Sequence, residues 1–266
     1  MSIVPPLPAP VSLPLSGRVV VVTGGAQGIG RGIAQAVLGA GGSVAVCDRD
    51  RAAARACLAE WNVGARARAF ALDVSREAPV ARTFARIVEA FGRIDGLVNN
   101  AGAADPEAGP LDRLTLARWR QWIDSHLTGA FLCTRAALPA LRAAQGAIVN
   151  IASTRAWQSE PHTEPYAAAK GALVAFTHAL AVSEGPAVRV NAISPGWIAT
   201  EAWRKPTARR RPALSRRDHA QHPAGRVGTP QDIGALAVYL LGPDAGFVTG
   251  QAFVVDGGMS RRMRYD

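Results

Sequence analysis

Tyr166 and Lys170 form a Tyr-x-x-x-Lys pair. On a helix, residues four apart sit one turn apart on the same face. A free phenol titrates near ~10 and is a poor base at neutral pH. An ammonium beside it stabilises the phenolate and makes acid/base work possible. Ser153 sharpens the pattern, because it lies thirteen residues before Tyr166, at the end of the apolar stretch 147–151. Alone, such a serine is a strand-end turn residue. In register with a phenol and a lysine, it points to proton transfer at an oxygen.

A second pattern lies near the start of the chain. Val19, Val20, Val21 and Val22 run into Thr23-Gly24-Gly25-Ala26-Gln27-Gly28-Ile29-Gly30. An all-apolar run fits a strand covered on both faces. Glycines at the turn after it let the backbone approach a pyrophosphate, which the N-terminus of the next helix faces with free N–H groups. Asp48 closes the second apolar run. A carboxylate there accepts hydrogen bonds from both hydroxyls of an adenosine ribose and repels a 2′-phosphate. Asp48 also suits the cap of a helix starting near Asp50.

These residues need elements to hold them. Apolar runs at Val44–Cys47, Ala67–Leu72, Ile94–Asn99, Ala147–Ile151, Val188–Ile193 and Ala252–Val255 continue the series begun by the valines. Helical spacing appears after Gly28 and over about 50–60, 77–91, 113–143, 165–184 and 230–241. Such alternation predicts a single-domain, Rossmann-type, doubly wound parallel α/β sheet of about seven strands with helices on both faces. Residues 1–16 carry five prolines and no charge, and read as an extended, mobile arm before a domain at 17–266. Residues 197–226, rich in Arg and Pro, read as a substrate-loop insertion or lid between the last two strands.

The glycine spacing Thr-Gly-x-x-x-Gly-x-Gly, Tyr166 with Lys170, and Ser153 resemble the short-chain dehydrogenase/reductase family over about Arg18–Gly258. The resemblance implies an oxidoreductase that moves a hydride between a nicotinamide dinucleotide and an alcohol or carbonyl carbon. It makes Gly24, Gly28 and Gly30 the glycine-motif positions, with Gln27 and Ile29 beside them. It makes Ser153 the group that holds the substrate oxygen, Tyr166 the acid/base and Lys170 the residue that also holds the nicotinamide ribose. Asp73 and Val74 fall where the family contacts adenine. Asn99-Asn100-Ala101-Gly102 resembles its sheet-stabilising motif, with Asn100, Ala101 and Gly102 lying along the cofactor. Pro195, Gly196, Ile198 and Thr200 match the stretch that holds the carboxamide. Gln27 is neutral where NADP-selecting members tend to place a base, so Asp48 favours NAD over NADP; Arg49 keeps some tolerance of NADP. His126 stands where the family has asparagine in its proton relay. A tolerated replacement and altered relay chemistry are both open.

Trp157, Gln158 and His162 fall where family members line the substrate pocket, and Trp197 and Trp203 flank its other side. Aromatic walls suit a carbon skeleton. The formal net charge is +10, and residues 201–226 hold eight basic residues against two acidic ones. Those arginines read as solvated surface, as a dock for an anionic substrate, or as a dock for an acyl carrier. A 3-oxoacyl-carrier-protein reductase using NADPH is therefore the rival within the family. A non-catalytic dinucleotide sensor is the rival outside it. No RNA motif or recognition helix accompanies the basic run, which argues against nucleic acid. His162, His178, His219 and His222 make no metal-ligand spacing with each other or with cysteine. Three irregularly spaced cysteines, no signal-peptide pattern and no long apolar run suggest a cytoplasmic protein that does not span a membrane. Val255-Asp256-Gly257-Gly258 resembles the family's ending, and homotetramers are common among such relatives.

Overall fold

The structure is a computed structural model that describes residues 13–103 and 105–263. Seven parallel strands form one sheet: β1 (Val19–Thr23), β2 (Ser43–Asp48), β3 (Ala67–Ala71), β4 (Gly96–Asn99), β5 (Ala147–Ile151), β6 (Arg189–Pro195) and β7 (Ala252–Val255). Their order across the sheet is β3-β2-β1-β4-β5-β6-β7. The chain winds outward from β1 one way, then returns to β4 and winds the other way. The winding reverses between β1 and β4, and it is in the crevice expected beyond the C-terminal ends of these two strands that such sheets bind ligands. The valines of β1 are all buried, because helices cover both faces.

Long helices fill the crossovers: α1 (Gly28–Gly39), α2 (Arg51–Trp61), α3 (Glu77–Phe91), α4 (Leu116–Ile123), α5 (Gly129–Ala144), α6 (Glu164–Glu184), and, after a short α7 (Arg216–Ala220), α8 (Pro230–Leu241). Two apolar clusters result, one on each face. Ile33, Val37, Val44, Ile233 and Leu240 belong to the first. Phe84, Ile87, Leu97, Leu141 and Ile148 belong to the second. No described helix is long and apolar enough to cross a membrane.

Four expectations change. The helix expected over 113–143 starts at Leu116, where the Thr115 side chain accepts the Arg118 N–H, and is interrupted by a π-turn at Asp124–Thr128. There the Gly129 N–H reaches back five residues to the Asp124 carbonyl. The fourth strand starts at Gly96 rather than Ile94, because the Asp95 carboxylate takes the Val19 N–H at 2.8 Å. The sixth strand runs on to Pro195, which pairs with Val255. The expected arm is shorter than residue 16. Residues 1–12 lie outside the described residues, but Leu15 is 0% exposed and its N–H donates to the Ala40 carbonyl. Gly41 and Gly42 make this possible, since a Cβ at either would meet Leu13 or Leu15 within 3.3 Å.

The basic stretch 197–226, read from the sequence as a substrate-loop insertion or lid, is tied to the main body at three of its eight cations. Lys205 Nζ lies 2.8 Å from Asp50, Arg209 contacts Glu60 at 2.8 Å, and Arg226 contacts Asp232 at 2.6 Å. Ser215 and Asp218 cap α7 reciprocally. Ile198 bridges to Gly228, tying the base of the loop together.

Candidate active site

The turn after β1 is built around close backbone approaches. Gly24 and Gly28 have positive φ, at 60° and 57°. A Cβ at Gly30 would fall 2.2 Å from the Gly24 carbonyl oxygen. Gln27 occupies the N-cap of α1 without capping it, and no acidic residue lies in the first turn. The first N–H groups of α1 are thus left for an anion. The Gln27 Oε1 instead accepts the Lys205 N–H at 3.1 Å. Thr200 closes over the same turn: a Cβ at Gly28 would lie 3.7 Å from its Cγ2.

Asp48 is buried at the end of β2. Its two oxygens accept the Ala26 N–H at 3.1 Å and the Asp50 N–H at 2.9 Å. Burial raises its pKa, and those two backbone bonds oppose the rise. Each oxygen keeps lone-pair capacity for a further donor. Asp48 does not cap α2; Asp50 does, through the Ala52 and Ala53 N–H groups.

Asn100 was placed along the cofactor. Its side chain turns inward and donates to the Thr23 and Gly24 carbonyls at 2.9 and 3.2 Å. The Asn100 and Ala101 N–H groups both donate to Thr23 Oγ1. These residues lock β4 to the glycine turn, and the side chain of Asn100 is used in doing so. Asp73 is also engaged locally, accepting from the Ser75 N–H and hydroxyl, while Val74 is buried against Gly129. Pro195 ends β6, and Gly196 has no room for a side chain, since a Cβ there would lie 2.6 Å from Asp256 Cβ.

Ser153, Tyr166 and Lys170 come together beyond the ends of β5 and β6. Ser153 starts a 3-10 turn, its hydroxyl accepting the Arg155 N–H at 3.2 Å. Tyr166 and Lys170 lie on α6, with Lys170 Nζ 5.5 Å from the centre of the Tyr166 ring. Nζ donates to the Ile151 carbonyl at 2.7 Å. The ammonium was expected to act on the phenol, but it faces the ring and binds backbone. Burial pushes the Tyr166 phenol up, and the opposing influences come from the Ser153 hydroxyl and from the charge of Arg155. Burial lowers the Lys170 pKa to about 7.

His126 sits in the π-turn, its ring edge-on to Tyr166 at 5.2 Å. Neither ring nitrogen has a hydrogen-bond partner among the described residues. Burial first, then the nearby Lys170 charge, hold its pKa well below the usual imidazole value. The ring fills the space over Gly102 so closely that a Cβ there would lie 2.0 Å from it. Gly102 is therefore needed for the histidine to fit.

On the substrate side, Trp157 is 56% exposed and Trp197 is 38% exposed. His162 adopts a φ of 64°, and its carbonyl accepts the Ala108 N–H. Sequence reasoning missed Arg155, which pairs with Glu160 across this loop, and His222, whose ring packs 6.1 Å from Trp197. Only the closeness of Arg155 to Ser153 could have signalled the first. It also missed Asp50 and Lys205, which lie 155 residues apart.

Known proteins are similar to this chain in sequence and fold. A family model described as enoyl-(acyl carrier protein) reductase matches residues 24–260. An uncharacterized oxidoreductase of Thermotoga maritima is 45% identical over 260 residues, covering 95% of this chain and 99% of its own length. The chain belongs to the short-chain dehydrogenase/reductase family. An L-fucose dehydrogenase of Oryctolagus cuniculus is 40% identical over 247 residues, 91% of this chain and 85% of the relative. A solved structure described as a short-chain dehydrogenase/reductase, glucose/ribitol dehydrogenase, from Brucella melitensis superposes with a TM-score of 0.84 at 32% identity, covering 96% of this chain and 100% of the other. The protein is thus an oxidoreductase of a family that binds a nicotinamide dinucleotide.

Lys170 gives this short-chain dehydrogenase/reductase a pH signature. Its folded pKa of about 7 lies below the ordinary value of 10.5, so between those values the unfolded chain binds more protons. The stability of wild type relative to Lys170→Met is expected to rise from pH 7 towards pH 10. Denaturant unfolding of both proteins across that range measures it. A flat or falling difference would show that the ammonium stays charged in the folded protein.

Proposed function

We propose that the protein is an NAD(H)-dependent oxidoreductase that interconverts a secondary alcohol and a carbonyl, with Tyr166 as acid/base. The observation that carries this reading is the gathering of Ser153, Tyr166 and Lys170 at one buried place, with Lys170 Nζ 5.5 Å from the centre of the Tyr166 ring and one turn along the same helix. The L-fucose dehydrogenase relative adds support for a hydroxyl-bearing carbon as the reacting centre. The uncapped N-terminus of α1 and the buried Asp48 fit a dinucleotide with an unphosphorylated adenosine ribose. When bound, the nicotinamide accepts or gives the hydride.

In the oxidising direction, Ser153 donates to the substrate hydroxyl oxygen and holds it against Tyr166. Tyr166 Oη takes the hydroxyl proton as the hydride leaves carbon. In the reducing direction, Tyr166 donates that proton to the carbonyl oxygen. The positive charge of Arg155 lowers the energy of the phenolate and offsets part of the cost of its burial, and a bound oxidised nicotinamide would add to this. Lys170 is positioned to hold the nicotinamide ribose and to pass protons outward. Trp157, His162 and Trp197 bound the substrate space. The neutral His126 ring supports the Tyr166 ring edge-on.

Tyr166→Phe should lower kcat by about a hundredfold or more, with dinucleotide affinity little changed. A panel of polyols, hydroxy acids and aryl ketones, followed at 340 nm with both cofactors, measures this; near-full turnover would sink the mechanism. Asp48→Asn should lower the NAD over NADP ratio of kcat/KM, since it removes the repulsion of a 2′-phosphate. An unchanged ratio removes Asp48 as the determinant. A homotetramer is the proposed assembly: β7 is a sheet edge and Phe247 is fully exposed. Light scattering that finds a monomer ends that part of the proposal.

A further inference from the structure

Lys205 is one of only two lysines in the chain, the other being Lys170. It is fixed at both ends to the nucleotide half of the site. Its N–H donates to Gln27 Oε1 in the glycine turn, and its Nζ donates to Asp50 Oδ2 at 2.8 Å in the turn after β2. Asp50 does not need this contact to cap α2, because its other oxygen, Oδ1, takes both the Ala52 and Ala53 N–H groups. Nor does the contact use up the ammonium. An ammonium has three donors, and a single acceptor is found for this one among the described residues. The Lys205 side chain is 36% exposed, so the remaining donors can meet a ligand.

The charges facing this rim are Asp48, Arg49, Asp50 and Lys205. Arg49 is exposed and follows Asp48 directly. Without Lys205, two carboxylates oppose one solvated cation, and a phosphate is rejected. With it, the formal charges cancel. We propose that Lys205 is a specificity-determining residue that forms a subsite for a phosphate on the 2′-oxygen of the cofactor's adenosine. The inference rests on the reading that the adenosine ribose lies against Asp48. It makes the basic loop a nucleotide-reading element on its Lys205 side, and it sets how strictly NAD is preferred. When a 2′-phosphate is present, Nζ turns from Asp50 to the phosphate oxygens; when it is absent, the ammonium stays on Asp50.

The test is calorimetric titration of the full-length protein with adenosine 5′-monophosphate and adenosine 2′,5′-bisphosphate. Both probes lack nicotinamide, so the result does not depend on turnover. Lys205→Met is expected to weaken the bisphosphate about tenfold relative to the monophosphate, the scale of one charge-assisted hydrogen bond. Lys205→Arg is expected to keep most of the wild-type ratio. A ratio unchanged in Lys205→Met overturns the proposal, including the case where both nucleotides weaken equally and Lys205 is only a clasp. A Lys205→Arg protein that loses the ratio as fully as Lys205→Met also overturns it, because charge at this place would then not be the cause. If the wild type binds the bisphosphate more tightly than the monophosphate, the preference for NAD fails while the Lys205 subsite stands. If neither probe binds the wild type, the placement of the ribose fails and the subsite falls with it.

Discussion

A side chain at Gly30 would put its Cβ 2.2 Å from the Gly24 carbonyl oxygen and 2.4 Å from the Asn100 amide nitrogen. Three segments therefore meet at a point where only backbone fits: the turn after β1, the first turn of α1 and the end of β4. Much else follows from that contact. It brings α1 down onto the sheet with its N-terminus aimed into the crevice. It lets Asn100 cross-link the ends of β1 and β4. It also places Asp48, one strand further out, where its carboxylate can brace the same turn through the Ala26 N–H. A larger residue at Gly30 would displace the cradle and the strand-end residues together.

On the other side of the crevice, the constraint is electrostatic. Tyr166, Lys170 and His126 gather ionisable groups in a space that disfavours charge. A buried polar chain supports them from below. Asn99 donates to Asn150, and Asn150 donates to Thr177 on α6, so β4, β5 and the helix carrying Tyr166 are joined by side-chain bonds. This chain orients α6 without adding charge, and the Ile151 carbonyl takes Lys170 at the end of the same strand. The site is held rigidly by neutral groups while its ionisable groups remain available.

What could be read in the sequence was what is local. The glycine turn, Asp48 and the spacing from Ser153 to Tyr166 and Lys170 are short patterns whose meaning depends on one element or one turn. The seven apolar runs gave the sheet for the same reason. Contacts made by folding were hidden. Nothing near Lys205 indicates that it meets Asp50, and nothing near Leu15 indicates that it enters the core beside Gly42. The ion pairs of the basic loop were hidden in the same way, since charges were counted along the chain, whereas Lys205, Arg209 and Arg226 find acids elsewhere. Periodicity also failed over 113–143, since a π-turn adds a residue without changing composition.

That π-turn has a further consequence. Each residue of a regular helix advances the direction of its side chains by about 100°. A turn closed by a five-residue reach, as from Gly129 to Asp124, holds one residue more than a regular turn and so resets the angular phase of everything after it. The stretch from α4 to α5 thus works as two rotors joined out of step. One rotor ends in His126, aimed at Tyr166; the other presents Cys133, Ala137 and Leu141 to the sheet. Removing any single residue between Asp124 and Thr128 would leave a smoother helix whose two faces could not both be satisfied. The length of this turn, as much as the identity of His126, decides what stands beside the phenol.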